Sequence, residues 1–116
     1  MVKTKASIKK SIKEIIEYMK KKGITVNLGV LFGSYVSGSP TESSDVDLAI
    51  FSKDLEGKRL KKRVELASEI SLHCGNGVEL HLYPIKSLSK ARPTNFVGYI
   101  LKNGKHIYKE GKYLNW

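Results

Sequence analysis

The chain has 116 residues, 41% of them apolar and 28% charged. These proportions exclude a disordered tail, a collagen-like fibre and a disulfide scaffold, and the length suits one domain, 1–116, with a single modest core. Lys and Arg number 21 against 11 Asp and Glu, a net charge of +10, which composition alone reads first as a lysine-rich soluble surface and second as a basic rim, around an acidic centre, suited to polyanions bound through a metal. The lone cysteine, Cys74, cannot close an internal disulfide, the basic start lacks the apolar core of a signal peptide, and no apolar run nears the roughly 20 residues that span a bilayer. The expectation is a cytoplasmic protein with no membrane segment.

Charge is segregated along the chain. Residues 1–23 hold eight Lys and two Glu, whereas residues 24–52 hold no base and three acids, Glu42, Asp45 and Asp47. A basic cluster follows (Lys53, Lys58, Arg59, Lys61, Lys62, Arg63), and then a stretch whose charged residues are all acids, Glu65, Glu69 and Glu79. The basic runs read first as solvated faces. Nucleic-acid contact is the lesser reading, because the runs lack interleaved aromatics.

In chain order, Ile8, Ile12, Ile15, Ile16 and Met19 recur at helical spacing and predict an amphipathic helix, ended by Lys20-Lys21-Lys22-Gly23. Ile24 to Phe32 reads as a buried strand and Tyr35 to Ser44 as a Ser/Gly/Pro-rich loop. Asp45 to Phe51 alternates and reads as a second strand. Gly57 to His73 reads as a helix with Leu60, Val64, Ala67, Ile70 and Ser71 on one side. Gly75-Asn76-Gly77 is a turn and Val78 to Tyr83 a third strand. Pro93 opens a helix over about Thr94 to Lys102, and Asn103-Gly104 leads into a short strand, Lys105 to Lys109. Alternating helices and strands imply an α/β layered domain. The dozen residues between the first two strands leave sheet direction open.

The chemistry concentrates in residues 31–50, LFGSYVSGSPTESSDVDLAI. Residues i and i+2 of a strand face the same way, so Asp45 and Asp47 share one face while Val46, Leu48 and Ile50 take the other. Two like charges held together call for compensation, and a hard divalent cation, Mg²⁺ or Mn²⁺, supplies it. In the third strand, Glu79, His81 and Tyr83 share a face. If that strand lies beside the second with matching faces, Glu79 joins the aspartates, and three carboxylates can hold two metals about 4 Å apart. Gly33 lets backbone approach a ligand, and Ser34 can donate to a phosphate oxygen. Ser44 orders the loop and is grouped with these nucleotide-binding candidates. His81 reads as a half-buried structural histidine, His73 and His106 as surface residues, and Cys74 as inert.

Gly33-Ser34, ten residues, then Asp45-x-Asp47 resembles the signature of the minimal nucleotidyltransferases, a branch of the polymerase-β-like superfamily. Four such fixed positions arise by accident in about one chain per thousand of this length. The resemblance covers close to the whole chain, including the third strand with its acid and the closing helix with Gly104-Lys-His-Ile-Tyr108. It implies an α+β nucleotidyltransferase fold, a small mixed sheet flanked by helices. It also implies that Asp45 and Asp47 bind the metals that hold an NTP triphosphate. Gly33 and Ser34 then hold its phosphates, and Glu79 is the third carboxylate and the base for the attacking hydroxyl. Two departures stand out: residues 35–37 are Tyr-Val-Ser where the family often has an arginine, and the third acid is Glu where Asp is commoner.

The resemblance further implies a partner, a small helical HEPN protein, in a toxin–antitoxin pair. The expected activity is Mg²⁺-dependent transfer of AMP from ATP to a tyrosine of that toxin, with this chain as antitoxin. The alternatives are a non-catalytic subunit that neutralises its partner by contact, and a basic RNA-binding module. A homo-oligomer stays open.

Overall fold

The computed structural model describes residues 4–33, 46–75 and 77–116. Helix α1 spans Lys5–Lys21, and Thr4 caps it by accepting from Ser7 N at 3.1 Å. Its C-terminus closes with two reversed bonds, Gly23 N to Lys20 O at 3.0 Å and Ile24 N to Met19 O at 2.9 Å. The helix buries the predicted stripe of Ile8, Ile12, Ile15, Ile16 and Met19. Each such side chain contributes about 1.5–3 kcal/mol on leaving water, which is why a Lys-rich segment still docks.

Five strands form one sheet in the order β3-β2-β1-β4-β5. These are β1 (Leu28–Phe32), β2 (Val46–Ser52), β3 (Val78–Pro84), β4 (Lys105–Lys109) and β5 (Lys112–Tyr113). Strand β1 runs antiparallel to both β2 and β4, β4 antiparallel to β5, and β2 parallel to β3. The direction that sequence left open is thus a mixed sheet. The parallel step from β2 to β3 is made by a 3₁₀ turn, Lys53–Leu55, and helix α2, Leu60–His73. A second 3₁₀ turn, Ile85–Lys90, leads to helix α3, Phe96–Asn103.

The sheet is covered on both faces. On one, α1 and α2 pack on Leu31, Val46, Leu48, Ile50, Val78, Leu80 and Leu82. On the other, Ile100 of α3 packs on Leu28, Val30, Phe32, Ala49 and Phe51. Strand alternation therefore assigns Asp47, Glu79 and His81 to the α3 face, because they share parity with Ala49 and Tyr83.

Several expected boundaries shift. The first strand begins at Leu28 rather than Ile24, although Asn27 just before it still bonds toward both flanking strands: its N–H reaches Phe51 O, and its carbonyl accepts from Glu110 N. The helix expected from Gly57 begins at Leu60, after the 3₁₀ turn. The helix expected from Thr94 begins at Phe96, where Asn95 accepts from Gly98 N at 2.9 Å. The helix side assigned to α2 needs correcting. Ile70 is buried and Leu66 and Ala67 pack on the core, while Leu60 and Val64 are 65% and 54% exposed. The packing stripe runs through Leu66, Ala67 and Ile70, and on the same side Arg63 reaches the sheet edge, donating to Leu82 O at 2.8 Å. Strand β5 and both 3₁₀ turns have no counterpart in the expected elements.

Candidate active site

Three polar side chains converge near the start of β2 and β3. Asp47 is the register partner of Phe32 in β1 and of Glu79 in β3. Asp47, Glu79 and His81 each offer a ligand atom, and these atoms lie within 4.8 Å of one another. His81 Nε2 is 3.3 Å from Asp47 Oδ1 and 4.0 Å from Glu79 Oε1. When Nε2 carries the hydrogen, it donates to Asp47 and orients that carboxylate. Exposure grades outward. The Asp47 and His81 side chains keep 24% and 26% of their surface, and Glu79 keeps 60%, so water or an incoming group reaches Glu79 first.

Gly33 closes the site from the β1 side. Its φ is +90°, and a Cβ built there would collide with Asp47 Oδ2. Only glycine lets the main chain after β1 pass this close to the carboxylate. Behind the polar cluster lies an aromatic wall. The Phe32 and His81 rings are 5.1 Å apart, and Phe96 meets Phe32 edge-on at 5.6 Å.

Of the residues proposed from sequence, the structure brings together Gly33, Asp47 and Glu79. Ser34, Ser44 and Asp45 lie outside the described residues. His81, set aside as structural, belongs to the cluster. Its signal was present in sequence, since it shares Glu79's face two residues on. Cys74 sits apart at the end of α2 with its thiol pushed up by burial, and His73 stacks on Tyr18 at 5.4 Å. His106 is exposed, with Nε2 3.3 Å from Leu101 O.

Two carboxylates and an imidazole suit a divalent cation, and the missing Cβ of Gly33 leaves room for Asp47 Oδ2 on that side. Among the described residues, no helix is long and apolar enough to cross a membrane.

Comparison with known proteins agrees with this architecture. A Sulfolobus solfataricus protein classed as a candidate nucleotidyltransferase superposes with a TM-score of 0.68 at 17% identity, covering 95% of this chain and 87% of that one. A toxin–antitoxin structure with AMP-PNP superposes at 0.59 and 22% identity, covering 84% and 73%. A MntA–HpeT toxin–antitoxin structure does so at 0.57 and 22%, covering 85% and 72%. At these identities the likeness shows a shared fold. No curated protein is similar enough in sequence to match. A family model described as "Polymerase beta, Nucleotidyltransferase" matches residues 13–113, and the chain belongs to that nucleotidyltransferase family.

Proposed function

We propose that the chain transfers a nucleoside monophosphate, AMP from ATP, to the hydroxyl of a tyrosine on a HEPN-type helical toxin, and so acts as its antitoxin. The observation that carries this reading is the convergence of Asp47 and Glu79 beside Gly33 in a chain of this family. The toxin–antitoxin structures that share the fold support the choice of partner.

In this reading Asp45, Asp47 and Glu79 hold Mg²⁺, and Gly33, Ser34 and Ser44 hold the nucleotide. When bound, the cation neutralises the triphosphate and makes the α-phosphorus more electrophilic. The acceptor oxygen attacks that phosphorus, a new P–O bond forms, the bond to the β-phosphate oxygen breaks, and pyrophosphate leaves. Glu79, the most exposed of the three clustered groups, takes the hydroxyl proton. His81 keeps Asp47 oriented, and the Phe32 ring behind it excludes water from that side. The protein contributes position and charge rather than a covalent intermediate.

The test uses α-labelled ATP, Mg²⁺ and the helical protein encoded next to this chain. Label on a tyrosine of that protein, lost in Asp45→Asn/Asp47→Asn, is the expected result. No label with wild type, or equal label with the variant, refutes the transfer. The exposure of Leu60 and Val64 on α2 favours one other reading, neutralisation by contact alone. Full neutralisation by Asp45→Asn/Asp47→Asn would decide for that reading.

A further inference from the structure

Helix α3 presents two aromatic rings beside the acidic cluster, Phe96 of the aromatic wall and Tyr99 one turn on. Phe96 is 51% exposed and Tyr99 48%. Their rings lie within 7° of parallel with centroids 6.2 Å apart, so a flat ligand stacked on one is parallel to the other. Phe96 is also an immediate neighbour of the site. Its ring is 6.5 Å from that of His81, which contacts Asp47.

We propose that Phe96 and Tyr99 form the stacking platform for the nucleobase of the nucleotide whose phosphates bind at Asp47 and Glu79. The inference rests on the nucleotide-binding reading above and extends it to a subsite that the Gly-Ser and Asp-x-Asp motifs do not contain.

Three observations carry it. First, the platform is built in advance. Ile100 is fully buried in the core under the sheet, and Asn95 pins the first turn of α3: its Oδ1 accepts from Gly98 N and Arg92 N, and its Nδ2 donates to Lys90 O at 2.9 Å. Gly98 sits so close to Arg92 that a Cβ would strike the Arg92 carbonyl, so the first turn of α3 lies directly against the preceding loop. A preformed surface avoids the entropy of ordering two side chains on binding.

Second, position. Phe32 links the two parts of the site, since it is the register partner of Asp47 and the edge-on partner of Phe96. A ligand with an anionic end and a flat aromatic end matches that sequence of surfaces, and a nucleotide has both.

Third, size decides against a protein partner here. A buried aromatic ring covers about 150–250 Å², so two half-exposed rings offer roughly 200 Å². A stable protein interface needs about 800 Å² per partner. The other exposed large apolar residues among those described do not extend the patch: Leu60, Val64 and Leu72 sit on α2, and Tyr113, beside Leu114, packs against Tyr108 of the α1-side core.

Calorimetry on the full chain with Mg²⁺ tests the proposal, comparing ATP with inorganic tripolyphosphate. Phe96→Ala and Tyr99→Ala are each expected to weaken ATP binding by about 5- to 100-fold. In these variants tripolyphosphate affinity stays within about twofold of wild type, since it carries no base to stack on either ring. Phe96→Tyr, which keeps a ring, retains ATP affinity and shows that the loss is not misfolding. Three results overturn the platform. In the first, the alanine variants bind ATP like wild type. In the second, they lose ATP and tripolyphosphate equally, which marks a structural role. In the third, wild type binds tripolyphosphate as tightly as ATP. If wild type binds neither ligand, the phosphate site itself fails and the platform with it.

Discussion

Asp47 and Glu79 are register partners across a parallel strand pair, with Asp47 inside the sheet and Glu79 on its edge strand. Parallel pairing with equal parity puts both carboxylates on the α3 face, although 31 residues separate them in the chain. The two acids are placed by backbone hydrogen bonding rather than by mobile loops, as metal clamps require.

In the proposed reading, neutralising either acid therefore removes a metal ligand without disturbing the sheet. Asp47→Asn and Glu79→Gln are each expected to lower transferase activity by at least about 100-fold, because even outer-shell partners are worth 10- to 100-fold in metal affinity. Thermal unfolding stays near wild type. Labelled-ATP transfer and Mg²⁺ titration measure both, and full activity of either variant contradicts the assigned roles.

Gly33→Ala carries two penalties at once, a left-handed backbone and a collision with Asp47 Oδ2. The expected cost is about 1–3 kcal/mol in stability. Nucleotide binding should fall beyond what that cost explains, because the displaced carboxylate no longer faces Glu79. Denaturant melts alongside nucleotide calorimetry separate the two effects.

Arg63 fastens the edge of the sheet. Its Nη1 donates to Leu82 O at 2.8 Å, its Nε to Lys58 O at 3.2 Å, and its guanidinium lies 6.0 Å from the Tyr83 ring centre. Arg63→Ala should cost about 1–3 kcal/mol, and Arg63→Lys should recover little, because an ammonium cannot span both carbonyls. Burial holds the Tyr83 hydroxyl above its ordinary range while the Arg63 charge pulls it back. Arg63→Ala should therefore move Tyr83 ionisation to still higher pH, read by ultraviolet titration.

Asp54 supplies an acid-sensitive contact. Its carboxylate accepts from Thr25 N at 2.6 Å, and that backbone bond holds its pKa below the ordinary 3.8. A carboxyl depressed in the folded state stabilises above its unfolded value and loses that contribution as pH falls through the folded one. Stability should therefore decline below about pH 4 in wild type and less steeply in Asp54→Asn, with a small effect at neutral pH because the group is exposed. Melting temperatures from pH 2 to 7 provide the check.

Much of this was legible in the residues. The α1 stripe, the parity of Asp47 and the alternation that turns Glu79 toward it follow from periods of 3.6 and 2. Pairing is a different kind of information: nothing local says whether β1 and β2 run parallel, and the dozen or so intervening residues permit either. Leu60 and Val64 misled because their spacing suits a core stripe, yet in the structure both are exposed while Arg63, between them in the chain, bonds the edge of β3. His81 was undervalued for a related reason. A histidine's meaning depends on what stands opposite it, and only the sheet brings Asp47 within reach. Phe96 and Tyr99 drew no reading from the sequence, since a single short helix does not say which side faces the sheet; in the structure Ile100 alone among α3 residues is fully buried.

The β2-α2-β3 crossover has a consequence for how activity arises. One acid arrives before the crossover and its companion after it, so neither the first half of the chain nor the second can assemble a working centre alone. A nascent or clipped polypeptide lacking β3 would hold the phosphate-side motif without its closing carboxylate. In the proposed reading the two carboxylates therefore meet only once β2 and β3, on either side of the crossover, have paired.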